Sequence, residues 1–233
     1  MKTVDLFRMS ALIASVILAN SASFAGHGPQ DNTSRPPAPT VARPTSANRS
    51  TDADGFIPRW LILEPIRTNG QLTDNAVQNA VKTEYFANQF TVIPRDGDSV
   101  MVGGEQLRWH AVDTSGYNVN LYHFAYALNK PTSNVLFWAV TVVNAPQDMP
   151  GVRLAIGSNA ASVWWVNGQE MIDIYNDRQS VVDDGVSNRL TLKKGRNIIR
   201  AAVFNAGGAT DFCARFLDEE GKPVKGISIS LEQ

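Results

Sequence analysis

The run Val163-Trp164-Trp165-Val166-Asn167-Gly168-Gln169-Glu170-Met171-Ile172 decides how the chain folds. Two apolar segments flank Asn-Gly, and a two-residue type I′ turn needs positive φ at both central positions, which asparagine and glycine tolerate best. The run is therefore a β-hairpin. Alternation along its first strand sends Trp164 and Trp165 to opposite faces, so one is expected inside and the other outward. An outward tryptophan would be an interaction surface.

The same grammar extends in both directions. Strands are expected over residues 121–128, 134–143, 152–156, 162–166, 170–174, 189–192, 197–204, 212–217 and 226–229, and the segments between them carry turn chemistry such as Pro150-Gly151, Lys194-Gly195 and Gly207-Gly208. Toward the N-terminus, Trp60-Leu61-Ile62-Leu63 is an apolar strand halted by Pro65. Val100 and Val102, Gly103-Gly104, then Leu107 and Trp109 form a glycine-turn hairpin. Between them Ala76, Val77, Ala80, Val81 and Tyr85 recur at helical spacing behind an N-cap at Thr73 or Asp74. Regular helices between strands, which a parallel α/β sheet requires, are missing. The expected class is all-β: an antiparallel β-sandwich or jelly roll with one short helix.

Several of these pieces, in this order, resemble a known family. Trp60-Leu61-Ile62-Leu63-Glu64-Pro65 is similar to a W-L-x-L-G-P opening strand, and Leu107-Arg108-Trp109 to the L-x-W that closes the next hairpin. Gly157-Ser158 with Val163 to Gly168, Leu192-Lys193-Lys194-Gly195-Arg196-Asn197, and Arg215-Phe216 resemble G-S-D-D-x-x-x-V-W-x-N-G, L-x-x-G-x-N and R-F. Together they look like the galactose-binding-like β-sandwich (jelly-roll) accessory modules of bacterial glycoside hydrolases and carbohydrate esterases. The resemblance spans most of residues 59–230 and implies a sandwich that binds carbohydrate. The chain departs from the pattern at two places: Asn159-Ala160 stands where the family has paired aspartates, and Glu64 where it has glycine.

Sugar recognition uses aromatic faces with planar polar groups, because a pyranose has an apolar face edged by hydroxyls. Candidate ligand-binding residues are Trp164 and Trp165, Tyr117, and the loop cluster Tyr175, Asn176, Asp177 and Arg178, whose bland reading is a plain polar loop. Asp183-Asp184-Gly185 is a candidate for a structural calcium through oxygen ligands, and otherwise solvated turn charge. No other cofactor is expected. Gly97-Asp98-Ser99-Val100 imitates the serine block of secreted esterases, but the last histidine is His123 and no C-terminal Asp-x-x-His follows. An acetylxylan-type carbohydrate esterase would depend on Ser99. No enzyme activity is expected.

The N-terminus reads as an address. Lys2 and Arg8 precede an apolar stretch from Met9 to Leu18, and Ser23-Phe24-Ala25 sets small residues before a cleavage point, so residues 1–25 are expected to be a signal peptide. The apolar stretch is shorter than the ~20 residues of a membrane span, and no transmembrane segment is expected in the mature chain. Residues 26–55 are rich in Pro, Ser, Thr and Asn and are expected to be a disordered linker, with Arg35, Arg43 and Arg49 as solvated charge. The sandwich is expected over 56–233. Removing the signal segment's net +1 (Lys2 and Arg8 against Asp5) from the chain's −1 leaves −2, and with a near-neutral chain and no basic cluster, nucleic acid is not an expected partner. Cys213 is the single cysteine, so the core must hold the fold without an internal disulfide. These features point to an exported, periplasmic or secreted, glycan-binding module. A structural or protein-interaction module contacting an envelope protein or enzyme is the second reading.

Overall fold

In the computed structural model the described residues are 41–231. The expected signal peptide and the first part of the expected linker lie outside them. In chain order the elements are β1 (Val41–Ala42), β2 (Asn48–Ser50), β3 (Arg59–Leu63), β4 (Ile66–Arg67), α1 (Asp74–Lys82), β5 (Ser99–Val102), β6 (Glu105–Thr114), β7 (Val119–Asn120) and α2 (Leu121–Ala127). They continue with β8 (Val135–Ala145), β9 (Met149–Asn159), β10 (Ala161–Val166), β11 (Gln169–Ile174), β12 (Gly185–Val186), β13 (Leu190–Leu192), β14 (Gly195–Asn205), β15 (Asp211–Leu217) and β16 (Ser228–Ser230).

The strands form two antiparallel sheets, as the all-β reading expects. The larger runs β1-β6-β3-β8-β14-β10-β11, with β4 and β16 also on β8, β5 on β6, and β2 on β16. The smaller runs β12-β9-β15-β7, with β13 also on β9. Asn167 (φ 51°) and Gly168 (φ 82°) close the β10–β11 hairpin, the pair of dihedrals that an Asn-Gly turn supplies. Thr73 caps α1, its side chain accepting a hydrogen bond from the Ala76 amide.

Between the sheets, Ile199, Ala201 and Val203 of β14 share one core with Phe212, Ala214 and Phe216 of β15. Trp164 belongs to it, packed edge-on against Trp60 and Phe212 at 6.0 and 5.4 Å between ring centroids. A second core lies on the opposite face of the larger sheet, where Trp109, Trp138, Trp165 and Phe204 meet Val77 and Val81 of α1 and Phe86. The domain thus has three layers, and the central sheet is covered on both faces. That explains why β8 and β10 read as near-continuous apolar runs, interrupted only by Thr141 and Asn144 in β8 and Ser162 in β10, since a strand buried on both sides has no polar face to alternate with.

Three expectations are corrected. Trp165 does lie opposite Trp164, but it does not face solvent. It is 9% exposed, stacked on Trp138 at 5.5 Å, with Phe90 against its edge at 6.1 Å. Arg200 fastens the covering segment by donating from Nε to the Phe90 carbonyl (3.2 Å) and from Nη1 to the Val92 carbonyl (2.9 Å). Burial pushes this guanidinium down to about 10. Residues 121–128 are not a strand but α2 and its C-cap. Asn120 caps the helix by accepting the His123 amide (2.7 Å), and Leu121, Phe124 and Ala125 bury one helical face.

The end of the expected linker belongs to the fold. β1 pairs with β6 and β2 with β16. Arg59, fully buried, donates twice to Asp113 (2.7 and 2.8 Å) and once to the Ala47 carbonyl, while Arg49 bridges the same aspartate at 3.2 Å. Arginine anchors, rather than apolar area, order this stretch.

Candidate functional site

The outer edge of β6 is covered by three segments in turn. β5 pairs with its first half, backbone hydrogen bonds link Trp109 to Gly97 (2.8 Å) and Asp98 (2.7 Å), and β1 pairs with its end. Between the last two, the Asp96 carboxylate stands in for a strand by accepting the Ala111 amide at 2.9 Å. There a cleft of about 350 Å³ opens toward α2, lined by Arg43, Asp96, Arg108 and His110 with Phe124 and Leu128.

The polar rim is fixed from behind by Glu64. Its Oε1 takes His110 Nε2 at 3.1 Å, and its Oε2 takes Lys130 Nζ at 3.0 Å and the Arg108 amide at 3.2 Å. Burial alone would push the Glu64 carboxyl up, but the hydrogen bonds from His110 and Lys130 outweigh it and hold the group below its ordinary value. Asp96 behaves alike. Burial opposes its charge, yet the Ala111 amide and Arg43, 2.6 Å away, keep it below the usual carboxylate value. The His110 ring is held between Glu64 and the edge of Phe124, 5.7 Å off. Sequence reasoning missed this arrangement, although its hub is the Glu64 that stands where the resembled family has glycine.

A second concavity of about 490 Å³ follows α1. Its lining includes Asn75, Ala76, Asn79 and Ala80 on the helix and Thr68, Asn69 and Gln71 opposite, with Tyr85 at the end. The wall opposite the helix is locked to the larger sheet. The Thr68 amide donates to the Asn134 carbonyl (2.8 Å), and a Cβ on Gly70 (φ 71°) would fall 1.8 Å from Asn134 Oδ1.

The residues picked out from sequence do not converge on either concavity. Trp164 is buried between the sheets, with Nε1 donating to Ser162 Oγ at 2.9 Å, and Trp165 is buried on the other face. Both are removed as ligand platforms. Tyr175 packs partly against the second core. Burial first, then Asp173 and Glu170, push its hydroxyl up to about 12. Asn176 and Asp177 are exposed. Arg178 is ion-paired to Asp184, and Asp183 is held by Arg215 (Nε–Oδ1 2.9 Å), so each carboxylate of the candidate calcium turn already serves a guanidinium. Among the described residues no group of three or more His, Cys, Asp or Glu side chains is arranged to hold a metal. Tyr117 is 48% exposed and tilts against Phe56 at 5.3 Å, and Arg215 lies over that ring at 4.7 Å. The Ser99 hydroxyl accepts from Gln106 Nε2 at 2.9 Å, and the imidazole of His110 turns to Glu64.

No family model and no curated protein matches the chain. Among solved structures it is similar to an anti-sigma factor domain-containing protein (11% identity, TM-score 0.40, 50% of this chain and 40% of that one). It is also similar to an anti-sigma factor domain-containing protein from Clostridium clariflavum (9%, 0.41, 72% and 44%). A third is the PA14 sugar-binding domain from an RTX adhesin (11%, 0.40, 72% and 94%). The chain spans less than half the length of the first two. The sandwich expected from the resemblance is present, while the narrower galactose-binding-like membership has no matching family model.

Proposed function

We propose that the protein is an exported, non-catalytic glycan-binding module whose sugar ring sits in the cleft at the β6 edge. The observation that carries this reading is the pre-set polar rim over an apolar floor. Asp96, Arg108 and His110 offer a carboxylate, a guanidinium and an imidazole around Phe124 and Leu128. A sugar presents the complementary surface, hydroxyls at its edge and C–H groups on its face. Ligand pockets of this kind enclose ~300–1,000 Å³, and the cleft falls at the small end, suited to one ring. Ser99 bonded to an amide instead of an imidazole supports binding without hydrolysis. Export rests on the N-terminal sequence pattern. Among the described residues no helix is long and apolar enough to cross a membrane.

Isothermal titration against a polysaccharide panel tests the proposal. At least one member should bind, and Asp96→Asn or Arg108→Ala should weaken it about tenfold, the equivalent of ~1.4 kcal/mol. Silence across the panel refutes glycan binding. A second reading, a protein-interaction module of the envelope, is favoured by α2. Tyr122 and Tyr126 stack there in parallel at 6.2 Å, and Tyr126 is 52% exposed. A partner recovered by pull-down and lost on Tyr126→Ala would support it.

A further inference from the structure

The concavity along α1 differs from the cleft in one respect that bears on what it can hold. None of its ten lining residues carries a charge. They are Thr, Asn, Gln, Ala and one Tyr, although charged residues make up 18% of the chain. Asn75 and Asn79 are one helical turn apart and so project from the same side of α1, about 5–6 Å between Cβ atoms. Ala76 and Ala80, at the same spacing, leave a shallow floor beside them, and Gln71 stands on the opposite wall. Several of the hydroxyls are already committed: Thr73 to the helix cap, and Thr83 to the Asn79 carbonyl at 2.6 Å. Asn75, Asn79 and Gln71 are exposed, so their side-chain amides are open to a ligand. Each offers two donors and an acceptor in one plane, the complement of a vicinal diol. Tyr85 closes the trough, half-buried, as a ring against which a sugar face can lie.

We infer that this trough is a second carbohydrate subsite, selective for uncharged glycans. It is distinct from the cleft in both place and chemistry. A carboxylated or sulfated sugar would lose hydration here without meeting a cation, whereas a neutral chain exchanges water hydrogen bonds for amide ones. The backbone of the wall that leads into Gln71 is set before any ligand arrives, by the Thr68 amide on the Asn134 carbonyl (2.8 Å) and the close approach of Gly70 to Asn134. The inference shares with the proposed function only the premise that the module binds sugar.

The test is calorimetric titration of the full chain with cellohexaose, xylohexaose and mannohexaose, with oligogalacturonate as the charged comparison. Native protein, Asn75→Ala/Asn79→Ala and Asp96→Asn are titrated in parallel, and side-chain amide NMR signals are followed. The expected result is that one neutral hexaose shifts the Asn75, Asn79 and Gln71 amide signals. The double variant should lose about tenfold in affinity for that component, the equivalent of ~1.4 kcal/mol. Asp96→Asn should leave this component intact, and its affinity should be unchanged from low to high salt, as uncharged recognition requires. Binding that the double variant leaves untouched, or oligogalacturonate bound at these amides, overturns the inference while glycan binding through the cleft survives. No hexaose bound by native protein overturns it as well, and if the wider polysaccharide panel is also silent the proposed function falls with it.

Discussion

Replacing Trp165 with alanine separates a core residue from a binding platform. The indole is 9% exposed, stacked on Trp138 and capped by Phe90. An aromatic of this size buries ~150–250 Å², which at ~25 cal/mol per Å² corresponds to roughly 4–6 kcal/mol. Large-to-alanine changes in packed cores cost ~3–5 kcal/mol, because the site collapses only in part. Taking ~4 kcal/mol, and ~2–4 °C per kcal/mol for a domain of this size, the melting midpoint should fall by roughly 8–16 °C. Differential scanning calorimetry measures the shift, and titration well below the new midpoint measures sugar binding, which should persist because Trp165 lines neither concavity. A midpoint within ~2 °C of native together with abolished binding would refute the three-layer packing and restore Trp165 as a ligand platform.

Acid should destabilise the domain through Glu64 and Asp96. Both titrate below their ordinary values when folded, so their contribution is complete above the unfolded carboxylate range near pH ~4 and is lost as pH falls through the folded values. Urea midpoints should therefore drop between about pH 6 and about pH 3, less steeply in Glu64→Gln, and a flat native profile would contradict this. Gly157→Ala should loosen the segment over the smaller sheet, since the added Cβ would meet the Val181 carbonyl at 2.2 Å. A cost of ~1–3 kcal/mol and faster proteolytic nicking near residues 175–184 are expected, and unchanged resistance would count against that close approach. Burial pushes the Cys213 thiol up to about 11. An aromatic disulfide reagent should therefore label the protein in urea but not in neutral buffer, and rapid native labelling would show the site to be open.

Much of the architecture was legible wherever one short stretch contains its own cause. Asn167-Gly168 closes its hairpin by its own dihedrals, and Thr73 caps α1 with a residue three places on. α2 was also present in the letters, because Leu121, Phe124, Ala125 and Leu128 fall at helical spacing behind Asn120. In so short a run the aromatic-rich composition reads equally as a strand, and only burial of one helical face decides between them. The layer over Trp165 was not legible, because residues 83–94 have no periodicity and are held by Arg200 contacts to their carbonyls.

The candidate sites divide in the same way. The residue types that could recognise sugar were visible, but of the ones chosen, Trp164, Trp165, Tyr175 and Arg178 are taken up by packing or an ion pair, while Asn176, Asp177 and Tyr117 are exposed outside both concavities. The cleft is assembled from Arg43, Asp96, Arg108, His110 and α2, and its hub joins Glu64 to His110 across 46 residues.

By itself, then, the sequence determined the turns, the α1 cap, the antiparallel strands and hence the class of fold, because their hydrogen bonds and dihedrals are settled within a few residues. Tertiary structure alone decided that the tail end of the linker joins the sheet, that both hairpin tryptophans are buried, and where a ligand can enter. Those outcomes depend on partners such as Arg59 and Asp113, 54 positions apart. Such groups meet only after the chain has closed, and no local pattern states which of many similar charges will be the one that arrives.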